Sequence, residues 1–321
     1  MPTDEGRPLV DAYAHVGLPR FQHIDDYRSV MAADGIDQAV LCLFDSCPDV
    51  AGVHTALHRW PDTFRVLGVP LGTDDKEREA GIEAQLDAGF SGIRFADSDV
   101  LERPWLLDLV AARGRVGIVC GRPSTPEIAR EMLAVLERHP GAHLVGGHFA
   151  GAADPRVLTK PGPVADLFAQ PRFSVVFSRH GGYPAGVIGE WARALVATCG
   201  WERLLWGSEA PVLFWRNETV ATALAWVDQL EPTAEERAAF FGGNTRRLYF
   251  GEPVHPADLR MPFDAWERAR PIPAGVWGSG LPVEQSIAGR LVQSWLRSGA
   301  QGTLGEYAQT VLDQALPALE K

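Results

Sequence analysis

Up to Tyr249, short apolar runs alternate with segments of helical period, and no other feature narrows the fold as much. Such alternation is the mark of βαβ units feeding a parallel sheet. The runs are Pro8–Ala14, Ala39–Phe44, Arg65–Leu71, Gly92–Phe95, Val116–Cys120, His143–Gly146, Ser174–Phe177 and Leu204–Trp206. Between them the sequence predicts helices from about Asp25 to a stop at Asp34-Gly35, then over Val53–Trp60, Lys76–Ala88, Leu101–Ala112, Pro126–Arg138 and Val187–Cys199. A helix over Glu218–Leu230, with Asn217 as its N-cap, and a short one opened by a Thr233/Glu236 capping box complete about eight pairs. The expected fold is therefore an α/β chain, a (β/α)₈ barrel over residues 1–250 with its site at the C-terminal ends of the strands.

The 321 residues and their 46% hydrophobic content suffice for a large core without disulfides. Cys42, Cys47, Cys120 and Cys199 show no CxxC pair, so reduced thiols are expected, with Cys42 and Cys199 as small core residues. Net charge is −11, which argues against nucleic acid and anionic membrane surfaces as partners and leaves a small-molecule substrate. Met1–Gly6 is acidic without an apolar run, and nothing approaches the ~18 apolar residues of a membrane span, so a cytoplasmic protein is expected. From Gly251 the chain turns rich in Pro, Gly and Trp (Trp266, Trp277, Trp295), then predicts helices near Glu284–Leu296 and from a Thr303/Glu306 box. Residues 251–321 read as an extension packed on the barrel or at a homodimer interface, or as a wall of the substrate pocket.

Four places at strand ends could carry chemistry. In Asp11-Ala-Tyr-Ala-His15, strand alternation puts Asp11, Tyr13 and His15 on one face. In Gly146-Gly-His148-Phe-Ala-Gly151, flanking glycines permit a sharp turn and close approach. Ser178-Arg179-His180-Gly-Gly brings basic side chains to a third strand end. In Trp206-Gly-Ser-Glu209-Ala-Pro, a carboxylate leaving an apolar strand is costly to bury unless it is paired or binds something. Each has a structural alternative, a satisfied loop histidine or a helix-entry turn. Their shared location favours function, and imidazoles with carboxylates from separate strands suit Zn, Mn or Fe.

These residues resemble the amidohydrolase-related family that includes aminocarboxymuconate semialdehyde decarboxylase and several hydrolases, lactonases and hydratases. DAYAH (11–15) stands where that family has D-x-H-x-H, AGFSGIRF (88–95) resembles its "GfkGvrl" segment and HLVGGHFAG (143–151) its "H-G/H-x-G" strand. MAADGIDQAVL (31–41), WERLLWGSEAP (201–211, against "dRilfGSDyP") and GGNTRRLY (242–249, against "gNarrlf") continue the match in order. The resemblance implies that His15 and His148 ligate a divalent metal, one or two ions of Zn, Mn or Fe. It places Glu209 at the acidic position that binds metal or water, and His180 where some members have an acid/base or a further ligand. Two departures, Tyr13 for the first His of HxH and Glu209 for Asp, imply a modified metal site in which Tyr13 ligates as phenolate, or a metal-free hydrolase, a kind the family also contains.

Three activities follow as expectations. The first is metal-dependent hydrolysis at an acyl carbon of an ester, thioester, lactone or amide: a metal on His15 and His148, with Tyr13 and Glu209 as further candidate ligands, activates the water, Glu209 or His180 moves the proton, and Arg122 or Arg179 holds an anionic part of the substrate. The second is nonoxidative decarboxylation of a small unsaturated or aromatic acid, with His180 as proton donor. The third is a noncatalytic ligand-binding barrel.

Overall fold

The computed structural model describes residues 8–17, 20–45, 48–216, 218–262, 295, 302–303 and 305–311. Eight strands, β1 (Leu9–Ala14), β2 (Ile36–Cys42), β3 (Phe64–Gly68), β4 (Gly92–Phe95), β5 (Val116–Val119), β6 (Leu144–Gly146), β7 (Phe173–Phe177) and β8 (Leu204–Trp206), pair in sequence order, every pair parallel. Beyond the last rung of β8 the chain closes on β1: the Glu209 amide donates to Tyr13 O at 2.8 Å and the His15 amide to Ala210 O at 2.7 Å. The result is the expected (β/α)₈ barrel. Close approach at this seam depends on Gly207, where a Cβ would stand 2.8 Å from Tyr13 Cβ.

Helices α1 (Ile24–Asp34), α2 (Val50–Arg59), α3 (Asp75–Asp87), α4 (Asp97–Glu102), α5 (Pro104–Ala112) and α6 (Pro126–Arg138) follow the first five strands. The one helix expected over Leu101–Ala112 is two, because Pro104 has no amide to donate and opens α5 at its first turn. α1 stops where expected, at Gly35 with φ 72°. α6 matches its expected span and buries Ile128, Ala129, Met132, Val135 and Leu136 along one face. Pro163–Ala169 and Ala185–Cys199 serve β6 and β7, the former not foreseen in the sequence. After β8, Val220–Ala225 starts from Thr219, whose side chain accepts from the Thr222 amide, and Ala234–Ala238 carries the Thr233/Glu236 box. Asn217 lies outside the described residues.

Period-two alternation sorts the strand residues into two cores. Val40, Cys42, Leu67, Ile118, Val145, Val176 and Leu205 fill the barrel interior. Leu41, Val66, Ile93, Val119, Leu144, Val175 and Leu204 pack outward against the helices. Cys42 and Cys199 are buried free thiols, as expected. Val254, Leu259 and Met261 begin the C-terminal segment by packing on the barrel core. The Thr303/Glu306 box forms and opens a helix described over 305–311, whereas Trp266, Trp277 and nearly all of the helix expected over Glu284–Leu296 lie outside the described residues. No helix among the described residues is long and apolar enough to cross a membrane.

At the N-terminal end of the barrel, His143 Nε2 meets Ser174 Oγ at 2.9 Å. Desolvation, reinforced by Arg172, Arg247 and Arg203, holds its imidazole down to about 4. An unfolded imidazole takes its proton below about 6.5. The folded chain therefore loses stability as pH falls through that value toward 4, and keeps it fully above. Between pH 7 and pH 5 the loss assigned to His143 is about 1–2 kcal/mol. Denaturant titrations at both pH values should show a smaller difference for His143→Gln than for the parent; equal differences would remove His143 as the cause.

Candidate active site

Strand alternation breaks where it matters most. β1 and β2 pair Asp11 with Ala39 and Ala14 with Leu41, three steps against two, so β1 carries a bulge between those residues. Asp11, Tyr13 and His15 consequently do not share a face, contrary to the expectation from alternation. Tyr13 joins the interior cluster and His15 lines the cavity above it. Asp11 instead accepts from Tyr27 Oη of α1 at 2.8 Å, from the Tyr13 and Ser208 amides, and from Ser208 Oγ. It is a buried fastener between β1, α1 and the loop after β8.

At the C-terminal end of the barrel lies a cavity of about 230 Å³, lined by His15, Arg20, Phe21, Phe44, Arg94, Cys120, His148, Arg179, Glu209 and Val212. Each comes from a strand end or the turn beyond it, except Arg94, which sits inside β4, and Val212, which opens a short helix after β8. Three of them hold left-handed backbone: His148 (φ 51°), Arg179 (φ 65°) and Glu209 (φ 57°), at the ends of β6, β7 and β8. Phe149 and Ala150 continue that conformation after His148. A non-glycine residue held there costs on the order of 1 kcal/mol or more, and such strain gathers where side chains must be aimed.

The charges are unevenly mixed. Arg94 donates from Nε to Tyr13 Oη at 2.8 Å, and the Cys120 thiol donates to the same oxygen at 3.3 Å. The Phe44 ring meets both Arg20 and Arg94, whose guanidinium carbons stand 4.1 and 4.9 Å from its centre. Glu209, almost fully buried, meets Arg216 Nη1 at 2.7 Å through Oε2, and through Oε1 faces Arg179 Nε at 3.4 Å and His148 Nε2 at 3.6 Å. Arg216 also pairs with Glu218, which reaches His180 Nδ1 at 3.1 Å.

The two imidazoles differ in what they present. His15 Nδ1 lies 2.8 Å from Cys42 O, an acceptor only, so Nδ1 carries the proton and Nε2 keeps its lone pair. Desolvation and the Arg94 charge hold His15 down to about 3. His148 Nδ1 contacts Ser178 Oγ at 2.9 Å, and its Nε2 faces the Glu209 carboxylate, which suits a proton on Nε2. Burial and then Arg179, Arg94 and Arg216 push His148 well below the usual imidazole value. Both rings are neutral at pH 7. Burial also lifts the Tyr13 phenol well above its usual value, so it stays a phenol that accepts from Arg94.

Of the residues singled out in the sequence, Tyr13, His15, His148, Arg179 and Glu209 come together. His180 does not line the cavity; it packs on Trp226 with ring centres 5.3 Å apart and joins Glu209 only through Glu218 and Arg216. Arg122 is exposed and held by Asp97, with Nε to Oδ2 at 3.2 Å. Seven participants were missed: Arg20, Phe21, Phe44, Arg94, Cys120 and Val212 of the lining, and Arg216 behind Glu209. Arg94 had a signal, a lone charge inside the apolar strand Gly92–Phe95, and Phe44 and Cys120 close two of the expected runs; Arg20, Phe21, Val212 and Arg216 had none.

For the divalent metal implied by the resemblance, His15 Nε2 has the right orientation, its other nitrogen fixed by a carbonyl. The remaining donors do not fit a cation as they stand. Glu209 is paired with Arg216 and faces Arg179, His148 Nε2 faces that same carboxylate, and Tyr13 is neutral and bonded to Arg94. Among the described residues no three His, Cys, Asp or Glu side chains converge as a metal group.

No curated protein matches this sequence. Many solved structures share the fold, among them these three. A Pseudomonas putida protein provisionally designated a 2-pyrone-4,6-dicarboxylic acid hydrolase is 24% identical, with 76% of this chain and 97% of that one covered and a TM-score of 0.60. An Acinetobacter baumannii protein of the same provisional designation, with citric acid bound, is 17% identical over 76% and 99% of the two chains, TM-score 0.57. A dihydroxybenzoic acid decarboxylase from Polaromonas sp. JS666, bound to manganese and 2-nitroresorcinol, is 14% identical over 76% and 96%, TM-score 0.54. A divalent metal thus occurs among structural neighbours that include both named hydrolases and named decarboxylases. The amidohydrolase family profile matches residues 2–251, well over half the sequence, and the chain belongs to the amidohydrolase family.

Proposed function

We propose that this chain hydrolyses an acyl bond, an ester or lactone first of all, in a small metabolite that carries at least one carboxylate. The observation behind this reading is the charge of the cavity: three guanidiniums and one carboxylate line it, in a chain of net charge −11. A guanidinium takes a carboxylate through two parallel N–H bonds and stays charged when buried. Arg94 is fixed in advance by Tyr13 and Phe44, so little side-chain freedom is lost when an anion binds. The citrate held by the Acinetobacter baumannii relative is an anion of the same class.

In this reading Arg94, with Arg20 or Arg179, holds the carboxylate and sets the acyl carbon near Glu209. Water attacks that carbon while Glu209 Oε1 accepts its proton. The Nε2–H of His148, beside Oε1, donates to the oxygen that gains charge in the tetrahedral intermediate. The bond to the leaving oxygen or nitrogen then breaks, and the proton passes from Glu209 to the leaving group. A decarboxylase needs a proton delivered to carbon. The donor considered for that in the sequence, His180, faces Glu218 outside the cavity, which weighs toward hydrolysis.

The test is acid release in a pH-stat from a panel of carboxylate-bearing esters, thioesters, lactones and amides, with carbon dioxide measured in parallel. We expect acid release without carbon dioxide, persisting after exhaustive chelation. Carbon dioxide with proton uptake would replace hydrolysis by decarboxylation. Loss on chelation, restored by Zn or Mn, would return a metal to the centre. Tight binding of the anions without turnover would leave a binding barrel.

A further inference from the structure

On the outside of the barrel, α2 carries a histidine pair that the cavity chemistry does not use. Val50, Val53, Ala56 and Leu57 turn inward, which leaves His54 half-buried and His58 exposed one helical turn apart. Their rings meet edge to face with centres 4.4 Å apart, and their Nε2 atoms approach to 3.0 Å. A third electron-pair donor points at the same spot: Ala257 O lies 2.6 Å from His54 Nε2 and 3.3 Å from His58 Nε2.

With the hydrogen on His54 Nε2, one N–H serves Ala257 O at 2.6 Å and faces the His58 Nε2 lone pair at 3.0 Å, so a single proton holds the three atoms together. A cation that takes the place of that proton meets three lone pairs. Two imidazole nitrogens on a tetrahedral zinc stand about 3.3 Å apart, close to the 3.0 Å observed, and the carbonyl oxygen must draw back from 2.6 Å to a similar spacing from His54 Nε2. None of the three residues lines the catalytic cavity.

We infer that His54, His58 and the carbonyl of Ala257 form a surface site for a borderline transition-metal dication such as Zn²⁺ or Cu²⁺, with water completing the shell. The ligand class follows from the donors, since two imidazoles favour zinc and copper over magnesium or calcium. The carbonyl gives the site a structural consequence. Ala257 belongs to the strap that leaves the barrel after its last helix, where Val254 and Leu259 pack on the core and the Ala257 amide reaches Ala88 O at 3.3 Å. A bound ion would pin this strap to α2 and stabilise the folded chain by linkage.

Calorimetric titration of the full chain with ZnCl₂, beside MgCl₂, tests the site. We expect one zinc-binding event absent with magnesium, weakened ~10-fold or more in His54→Ala or His58→Ala, lost in the double variant and kept in His15→Ala. Amide hydrogen exchange over residues 254–259 should slow on adding zinc to the parent and stay unchanged in the double variant. Because His58 is exposed and His54 loses one hydrogen bond from a half-buried position, the zinc-free variants should stay folded with melting curves within a few degrees of the parent. A double variant that titrates like the parent would overturn the assignment, as would a parent that binds no zinc. Zinc binding lost in His15→Ala instead would move the ion to the catalytic cavity.

Discussion

Glu209→Gln should lower kcat by a factor of ~10²–10⁴, the range expected when a positioned acid/base group is removed. Gln keeps the length and one acceptor oxygen, so Arg216 retains a partner there and a second in Glu218. What disappears is the one negative charge among the residues lining the cavity. For an anionic substrate held by Arg20, Arg94 and Arg179, removing that charge makes the cavity more positive. KM should therefore hold or fall while kcat collapses. A structural role predicts the opposite, since loss of the Glu209–Arg216 pair would disorder the loop and raise KM along with any loss of kcat. The thermal midpoint separates the cases further: a large drop together with a raised KM would mark Glu209 as a support for Arg216, and an unchanged kcat in the Glu209→Gln variant would end the assignment.

Much of the barrel was legible because its signals are local. Gly92–Phe95, Leu204–Trp206 and Pro126–Arg138 appear with the bounds their residues suggest, since short apolar runs between turns and a Pro-initiated amphipathic face specify themselves. β2 starts earlier than its apolar run because polar Asp37 and Gln38 are carried within the strand, where Gln38 pairs with Val10 of β1. The site was legible only in part. His15, His148, Arg179 and Glu209 were found because strand-to-loop transitions are recognisable and the glycines beside them mark sharp turns. The left-handed turn over 148–150 is set by tertiary packing; Trp191 holds Phe149 O at 2.8 Å from a distant helix, and no propensity encodes that. The pairing of Arg20 with Phe44 was invisible for the same reason. It spans two loops and rests on a ring face, which no spacing rule describes.

The bulge in β1 supplies the other large effect. Asp11 is fully buried, and burial alone pushes its carboxyl above the ordinary range, while hydrogen bonds from Ser208, Tyr13 and Tyr27 pull the other way. Those donors belong to three separate elements, so the carboxylate joins β1, α1 and the Ser208–Glu209 loop at one point. Asp11→Ala strands two backbone amides and two hydroxyls in a dry site. With each unsatisfied group costing on the order of 1–3 kcal/mol, and some of that recovered by hydroxyl rotation, a loss of about 4 kcal/mol is expected. In a chain of this size that lowers Tm on the order of 10 °C. Tyr27→Phe removes one donor and leaves the rest, so its cost should stay near ~1 kcal/mol. Asp11→Asn should fall between the two, because its carbonyl can still accept from both amides while its NH₂ must face hydroxyls that turn to accept. Activity should follow stability in this series only in part: wherever Asp11→Ala remains folded, Ser208 loses its anchor one residue before the proposed base, and with the Glu209 amide bond to Tyr13 O and the Arg216 pair left to hold that carboxylate, kcat should still fall. A Tm change in Asp11→Ala no larger than that of Tyr27→Phe would reduce Asp11 to a single hydrogen-bonding contact and leave the seam of the barrel to the backbone.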